Sequence, residues 1–235
     1  MLSEKLDWMD QALSLLKKIS EFPKESKLIM MLRHSEREPI SSLKKNRDLQ
    51  LTENGRIAAR TFGKNLPLNR YVRLFYSNTD RCHHTALEII NGFQQSGGDW
   101  VDGGILEPLY VLKVIKDNFF KYELHKFSLL EIMNRWINEQ YDHNDIEPIK
   151  SYSKRAASII WSKLNQDLPL GGIDIHVSHE VLLMALRSGW FDLSPNDKWT
   201  EFLGGYIFTF TKNHILLLDF DKFIKISYPN WWTKK

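Results

Sequence analysis

The sequence predicts an α/β fold: a three-layer α/β/α sandwich around a doubly wound, mostly parallel sheet with a helical insertion. Short apolar runs of strand length recur along the chain, most end abruptly in polar residues, and most are followed by a segment with helical periodicity. Strands buried on both faces read as continuous apolar runs, and helical crossovers keep such strands parallel. We therefore expect one sheet with helices on both faces.

Four runs are predicted to be strands: Leu28–Leu32, Tyr71–Ser77, part of Trp100–Leu106, and Ile173–Val177. Near the C-terminus, Tyr206–Thr211 and Ile215–Phe220 are separated by a short polar segment, which predicts a hairpin or two edge strands. The aromatic stretch Ser227–Trp232 is expected to lie against the body of the domain.

Helical periodicity separates these runs. One helix is predicted to begin after Thr52, whose hydroxyl suits an N-cap, and to end before Pro67. Further helices are expected through Leu87–Phe93, over Tyr152–Leu164, and over Val181–Leu186, where Ser188-Gly189 would end the last one.

The N-terminal segment 1–26 is predicted to contain an amphipathic helix, because apolar residues repeat at steps of three and four. They are Leu2, Leu6, Met9, Leu13 and Leu16. Packing on the body of the domain is the favoured interpretation, and a dimer seam or a membrane-surface helix is the alternative. Acidic residues from Glu4 onward argue against a secretory signal.

Residues 27–235 are predicted to form a single α/β domain. The stretch 109–150 differs from the rest, because it is rich in aromatic residues, Lys and Asn and interrupts the alternation of strands and helices. It is predicted to be a helical cap inserted over the strand ends. Ordinary framework helices are an equally good interpretation.

Composition narrows the function classes. The 235-residue chain is 43% hydrophobic, and its net charge of +3 is too small to indicate nucleic-acid binding. One cysteine fits a reducing compartment, and no apolar run is long enough for a membrane span. We therefore expect a cytoplasmic protein, monomeric or homodimeric, that binds neither nucleic acid nor membrane.

Three predicted strands end in clusters of basic residues. The clusters contain Arg33, His34 and Arg37 after the first strand, Arg81 after the second, and His179 with Glu180 after the fourth. The carboxyl ends of strands in such sheets share one edge, where ligands bind. Converging guanidinium groups repel one another unless an anion joins them, so the pattern indicates a phosphate site.

This arrangement also suggests a reaction. An imidazole among the arginines can attack phosphorus and form a phosphohistidine, while the cations stabilise the charge on the phosphoryl oxygens. A carboxylic acid beside the site would protonate the leaving alkoxide. An acidic or near-neutral pH optimum is expected.

Four segments resemble motifs of the histidine phosphatase superfamily, which has a phosphoglycerate mutase-like fold, and within it the acid phosphatase and phytase branch. The motif R-H-G-x-R-x-P resembles Arg33-His34-Ser35-Glu36-Arg37-Glu38-Pro39, and L-T-x-x-G is similar to Leu51-Thr52 with Gly55. The motif S-x-x-x-R-C-x-x-T-A resembles Ser77 with Arg81-Cys82 and Thr85-Ala86. The pair H-D resembles His179-Glu180. The resemblance implies a metal-independent phosphomonoesterase without a cofactor. It places the nucleophile on His34, phosphate binding on Arg33, Arg37, Arg81 and His179, and the proton donor on Glu180.

Two departures from these motifs concern the predicted site. Ser35 stands where glycine is usual, and Glu180 replaces the usual aspartate. The superfamily's other branch takes its acid from a glutamate after the third strand, and Glu107 occupies that place. Glu180 is preferred as the donor because Arg37 and Pro39 resemble the acid phosphatase branch.

The remaining titratable residues are expected to have structural roles. His176 is expected to pack in the core and Cys82 to be buried beside the pocket, and the histidine spacings match no usual zinc pattern. The predicted substrate is a small phosphorylated metabolite or a phosphoprotein. Two alternatives stay open: a phosphomutase of the phosphoglycerate mutase type, and a silent module that binds phosphate or a phosphoprotein.

Overall fold

The structure, a computed structural model, describes residues 9–39, 49–110, 112–114, 116–195 and 199–232. Seven α-helices and seven strands lie in these ranges. Leu2 and Leu6 of the predicted N-terminal helix lie outside the described residues.

The seven strands form one sheet in the order β3-β2-β4-β1-β5-β6-β7. Their bounds are β1 (Leu28–Arg33), β2 (Val72–Tyr76), β3 (Trp100–Ile105), β4 (Ile173–Ser178), β5 (Gly205–Phe210), β6 (Ile215–Asp219) and β7 (Lys222–Ile226). The sheet is mixed. Strands β1 to β4 pair in parallel, whereas β5 pairs antiparallel with β1, β6 with β5, and β7 with β6.

The predicted α/β class is therefore confirmed, and the sheet is less parallel than expected. The predicted C-terminal hairpin is present as β5 and β6, but β5 is an interior strand that pairs with β1, and β7 was not predicted. In β7 every residue is at least partly exposed. A strand on the rim of a sheet lacks the continuous apolar run that identifies buried strands, which explains why β7 was missed.

Helices cover both faces of the sheet. They are α1 (Asp10–Lys18), α2 (Glu53–Lys64), α3 (Asp80–Gln95), α4 (Phe119–Leu124), α5 (Leu129–Ile137), α6 (Ile149–Lys163) and α7 (Glu180–Phe191). Side chains of β1 alternate between two apolar cores, with Met30 in the core under α1, α2 and α3 and Met31 in the core that contains α5, α6 and α7. The three layers follow from this alternation.

Helix α1 packs on the sheet through a stripe that only partly matches the predicted one. Met9 is buried, as the spacing suggested, together with Ala12, Leu15 and Ile19, whereas the predicted Leu13 is 38% exposed. Both stripes repeat at steps of three and four, so periodicity alone did not separate them. The small Ala12 side chain is fully buried in the stripe that faces the sheet.

The stretch 109–150 contains α4 and α5. Ser128 begins α5 with a capping box that involves Glu131, and Met133 and Trp136 belong to the same core as α6 and α7. Trp136 also donates from Nε1 to the backbone oxygen of Glu147 at 2.9 Å. These helices thus share the framework core of this face, and the cap function stays a prediction.

Helix α7 runs through Gly189, where the sequence suggested an end. A Cβ atom at Gly189 would lie 1.8 Å from the Ser153 hydroxyl of α6, so the glycine permits the two helices to approach closely. The aromatic tail packs as predicted, with the rings of Trp231 and Trp232 centred 5.5 and 4.7 Å from that of Trp161. Across the described ranges, no helix combines the length and apolarity that a membrane crossing needs.

Candidate active site

The carboxyl ends of β2, β4 and β1 lie side by side at one edge of the sheet. Backbone hydrogen bonds continue beyond the strands, because His34 N donates to Ser178 O at 2.9 Å and Ser77 N donates to Val177 O at 3.0 Å. The three clusters predicted from the sequence therefore meet at one place, which we call the anion site. Its side chains are Arg33, His34, Arg37, Arg81 and His179.

The tautomer of His34 follows from its hydrogen bonds. Its Nδ1 lies 2.8 Å from the carbonyl oxygen of Ser35, and a carbonyl only accepts, so Nδ1 carries the proton. Arg81 donates from Nε to His34 Nε2 at 3.2 Å, which requires a lone pair on that nitrogen. Nε2 therefore carries the lone pair of His34, and it faces a guanidinium group.

His179 lies against the same arginine. Arg81 donates from Nη2 to His179 Nδ1 at 3.3 Å, and His179 Nε2 then donates to the hydroxyl of Ser77 at 3.1 Å. The centres of the two imidazole rings are 5.4 Å apart. One guanidinium group thus orients both histidines.

Both histidines are neutral. Burial, followed by the nearby His179, holds the pKa of His34 well below its usual range. Burial, followed by the charges of Arg81, Arg33 and Arg37, lowers the pKa of His179 to about 3. Desolvation and like charge both disfavour the imidazolium form. His34 consequently keeps its lone pair in mildly acidic solution.

Arg33 ends β1 and is held from three directions. Its Nη1 donates to the backbone oxygen of Thr200 at 2.7 Å, its Nε lies 3.1 Å from Glu180 Oε2, and its guanidinium carbon lies 4.2 Å from the centre of the Phe202 ring. The contact with the ring is a cation–π interaction. These contacts fix the guanidinium group beside His34.

Arg37 is less enclosed than Arg33. Its Nη1 donates to Glu38 O at 2.7 Å, and its backbone forms an isolated bridge with Leu51. Its charge contributes to the lowered pKa values of Arg33 and Arg81, for which burial is the largest cause. Arg37 therefore adds a third positive charge at the open side of the anion site.

The loop after β1 is held by residues of two helices. Ser35 N donates to Thr85 Oγ1 at 3.0 Å, and the Ser35 hydroxyl donates to Gly55 O at 2.7 Å. The serine at this usual glycine position is therefore fully paired inside the protein. Thr85, in turn, donates to Arg81 O at 2.7 Å.

Gly55 allows α2 to approach this loop. A Cβ atom at Gly55 would lie 2.1 Å from the backbone oxygen of Glu36. Thr52 caps α2 by accepting from Gly55 N at 2.9 Å, and its hydroxyl donates to the Glu36 carboxylate. The predicted N-cap is thus present, and it also secures the segment that carries His34.

The two candidate proton donors lie in different surroundings. Glu180 is the first residue of α7 and forms an ion pair with Arg33. Glu107 lies in a 3-10 turn, Glu107–Leu109, after β3, and its carboxylate accepts two hydrogen bonds from Arg155, at 2.7 and 2.8 Å. Both side chains stand at the carboxyl edge of the sheet, each beside an arginine.

Phe202 and Thr200 lie beside the anion site, and the sequence did not predict this. The Phe202 ring lies 5.8 Å from that of His34, centre to centre. Both residues come from the segment between α7 and β5, which Gln11 of α1 holds through Trp199 O and the Glu201 side chain. Residues of an irregular loop follow no periodic pattern, so the sequence did not indicate that these two residues lie near His34.

Other titratable residues near the site are structural. His176 is fully buried and stacks on Phe75 at 5.0 Å between ring centres, as predicted, and burial lowers its pKa to about 3. Burial raises the pKa of Cys82 to about 12, so this thiol stays protonated. Within the described ranges, no group of three or more His, Cys, Asp or Glu side chains is arranged to hold a metal ion.

Sequence comparison identifies a family for part of the chain. Residues 29–97 match the profile of the histidine phosphatase superfamily, branch 1. This segment runs from β1 through α3 and includes His34 and Arg81. A search of curated protein sequences returns no significant match. The narrower assignment to the acid phosphatase and phytase branch stays a prediction.

Solved structures share the fold. A phosphoserine phosphatase from Entamoeba histolytica, in complex with 3-phosphoglyceric acid, superimposes with a TM-score of 0.56 at 19% identity, over 83% of this chain and 97% of that one. A mycobacterial glucosyl-3-phosphoglycerate phosphatase gives a TM-score of 0.52 at 14% identity, over 86% and 98% of the two chains. The superposition extends over most of this chain, well beyond the segment that matches the family profile.

Proposed function

Because residues 29–97 match the profile of the histidine phosphatase superfamily, we propose that the chain is a metal-independent phosphomonoesterase that works through a phosphohistidine on His34. One observation carries the proposal: the neutral His34 ring presents the lone pair of Nε2 to the Arg81 guanidinium, with its proton held on Nδ1 by Ser35. A nucleophile with its lone pair available beside a cation is suited to attack a phosphate.

The first step forms a bond between His34 Nε2 and phosphorus and breaks the bond from phosphorus to the leaving oxygen. Arg33, Arg37 and Arg81 would bind the phosphoryl oxygens and stabilise the charge that develops on them. His179 would join them as a hydrogen-bond donor, which requires its ring to rotate or to gain a proton when the phosphate dianion binds.

The leaving alkoxide needs a proton, which a carboxylic acid at the edge of the site would supply. Glu180 and Glu107 are the candidates, and their roles are part of the proposal. In the second step a water oxygen attacks phosphorus and the bond to Nε2 breaks. The proton of the water passes to the carboxylate that acted as the acid.

A small phosphorylated metabolite is the proposed substrate. The related folds include phosphatases named for phosphoserine and for glucosyl-3-phosphoglycerate. Both substrates carry a phosphate on an alcohol oxygen, which is the chemistry that the anion site suits. A phosphoprotein is the alternative, and we further propose a cytoplasmic location.

The test is phosphate release from 4-nitrophenyl phosphate with EDTA present. Wild type is expected to release phosphate, and His34→Ala to lose about 10⁴-fold or more of kcat, because the nucleophile is absent. His176→Phe is the matched control, since it also replaces a buried histidine but outside the site, and its activity should equal that of wild type. Equal activity in wild type and His34→Ala would refute the mechanism.

The intermediate can be detected directly. Rapid quenching during turnover of a labelled substrate should give a protein-bound phosphate that is stable in alkali and labile in acid, as a phosphoramidate is. Product analysis separates the two alternatives. A mutase would transfer the phosphate to an acceptor and release little of it, and a silent module would bind inorganic phosphate without turnover.

A further inference from the structure

Arg155 of α6 joins two carboxylates that are far apart in the sequence. Its Nη1 donates to both oxygens of Glu107, at 2.7 and 2.8 Å. Its Nε and Nη2 donate to the two oxygens of Glu147, at 3.1 and 2.8 Å. Bidentate contacts of this kind fix orientation as well as charge.

The two carboxylates differ in exposure. The Glu147 side chain is 9% exposed and that of Glu107 is 39% exposed. Glu147 is further fixed by its neighbours, because its backbone oxygen accepts from the buried Trp136 indole. Glu147 therefore serves as the buried anchor of Arg155, and Glu107 is the member of the group that a substrate can reach.

The turn that carries Glu107 is held beside the anion site. Tyr152, also from α6, donates its hydroxyl hydrogen to Pro108 O at 2.8 Å, and the Ser178 hydroxyl donates to Leu109 O at 2.7 Å. Ser178 ends β4 and directly precedes His179. Because β2 lies between β3 and β4 in the sheet, the turn crosses the end of β2 to reach β4.

The two candidate donors are paired with different arginines. Glu107 shares Arg155 with Glu147, and Arg155 lies outside the anion site. Glu180, by contrast, is paired with Arg33, one of the arginines of the anion site.

We propose that Arg155 is a positioning residue, anchored by Glu147, that holds the Glu107 carboxyl group where it protonates the leaving oxygen. The inference rests on the proposed phosphatase function and adds a residue that positions one of its two candidate donors. In this step the O–H bond of Glu107 breaks, the hydrogen joins the leaving oxygen, and the bond from phosphorus to that oxygen breaks. Arg155 itself does not touch the reacting atoms.

Substrates with different leaving groups test this role. 4-Nitrophenolate leaves without a proton, whereas an alkoxide such as that of glycerol 2-phosphate needs one. Glu107→Gln is expected to lower kcat/KM for glycerol 2-phosphate about 10²-fold and that for 4-nitrophenyl phosphate about 3-fold or less. Arg155→Met should show the same selectivity with a loss of about 10-fold, and Arg155→Lys should recover part of it.

A structural role would give a different pattern. If Arg155→Met lowers kcat/KM equally for both substrates, or if only Glu180→Gln shows the selective loss, the proposal is overturned. The double variant Arg155→Met/Glu107→Gln should lose no more than Glu107→Gln alone, because the two residues act as one unit.

Vanadate binding gives a readout that does not depend on turnover. Arg155→Met should bind vanadate as wild type does, since the anion site does not include Arg155, and weaker binding would contradict the proposal. A different result would show that the chain is not a phosphatase: wild type would bind vanadate but release no phosphate from either substrate. The proposed role of Arg155 would then be wrong as well.

Discussion

Two groups of polar side chains lie at different heights along the sheet, and they differ in how their charge is compensated. The buried polar cluster, Arg73, Asp174 and His176, comes from the middles of β2 and β4. There Arg73 donates to both oxygens of Asp174, at 2.7 and 2.8 Å, so the arginine charge is neutralised inside the protein. The anion site lies at the ends of these strands, where Arg81 donates to two neutral imidazole rings.

The comparison shows that burial alone does not identify a functional histidine. Burial lowers the pKa of His176 and of His179 to about 3. His176, however, stacks on an apolar ring, and neither of its ring nitrogens has a partner among the described residues. His179 faces an arginine and a hydroxyl group. Positive charges that converge beside neutral imidazole rings make the strand ends suitable for an anion.

The largest expected effect on stability breaks the buried polar cluster. Arg73→Met leaves the fully buried Asp174 carboxylate without its ion pair, and we expect the free energy of unfolding to fall by about 3–5 kcal/mol. Urea denaturation measures it. The double variant Arg73→Met/Asp174→Leu should recover most of the loss, because it removes both charges. The activity of the folded fraction should not change.

A stability loss of less than about 1 kcal/mol in Arg73→Met would contradict this account, because a loss of that size is typical of an exposed ion pair.

The next effect concerns the anion site. Arg81→Lys keeps the charge but removes the planar fork that donates to His34 and His179. We expect kcat/KM for 4-nitrophenyl phosphate to fall about 10²-fold, with little change in the thermal midpoint. Arg60→Lys, in an ion pair with the buried Glu88 outside the anion site, is the matched control and should leave activity unaltered. Equal rates in both variants would remove Arg81 from the proposed mechanism.

The pH profile sharpens the comparison further. The pKa of His34 lies well below its usual range, so lowering the pH through about 6.5, the ordinary histidine value, should not protonate the nucleophile. The profile of kcat/KM for 4-nitrophenyl phosphate should therefore show no descending limb near that value. A tenfold loss per pH unit between about pH 6.5 and pH 5 would show that His34 titrates normally.

The smallest expected effect concerns stability in acid. His176 has a folded-state pKa of about 3, whereas the unfolded chain binds the proton near pH 6.5. The unfolded state thus takes up the proton first, and the stability from a neutral His176 is lost as the pH falls from about 6.5 towards 3. His176→Phe removes this contribution. Between pH 7 and pH 5, the free energy of unfolding should therefore fall by about 1–2 kcal/mol less in His176→Phe than in wild type.

Denaturant titrations at both pH values measure the difference. His34 and His179 contribute to acid sensitivity in the same direction and are present in both proteins, so they cancel in the comparison. An identical slope in wild type and His176→Phe would contradict the prediction.

The sequence was informative where burial imposes a pattern. The runs that became β1, β2 and β4 are buried throughout or nearly so, and their boundaries were predicted to within one residue. The convergence of Arg33, Arg81 and His179 followed from one rule, that parallel strands share an edge. The predicted N-cap, Thr52, depended on local hydrogen bonding alone and is also present.

Contacts between distant segments were not predictable in this way. The pairing of Arg155 with Glu107 depends on how α6 packs, and nothing in the local sequence of either residue indicates it. Phe202 reaches the anion site because Gln11 of a remote helix holds its loop. The antiparallel position of β5 beside β1 likewise depends on sheet topology, since an apolar run does not specify its neighbour.

The position of β1 in the sheet has a consequence for when the protein can acquire its site. Both partners of this strand, β4 and β5, follow it by well over a hundred residues. During synthesis, at about 5–20 residues per second, the segment that carries His34 would wait about 10 s or more for them to emerge. Pairing over such long separations also closes large loops, which slows folding. His34 is made early, and its surroundings exist only once most of the chain has left the ribosome.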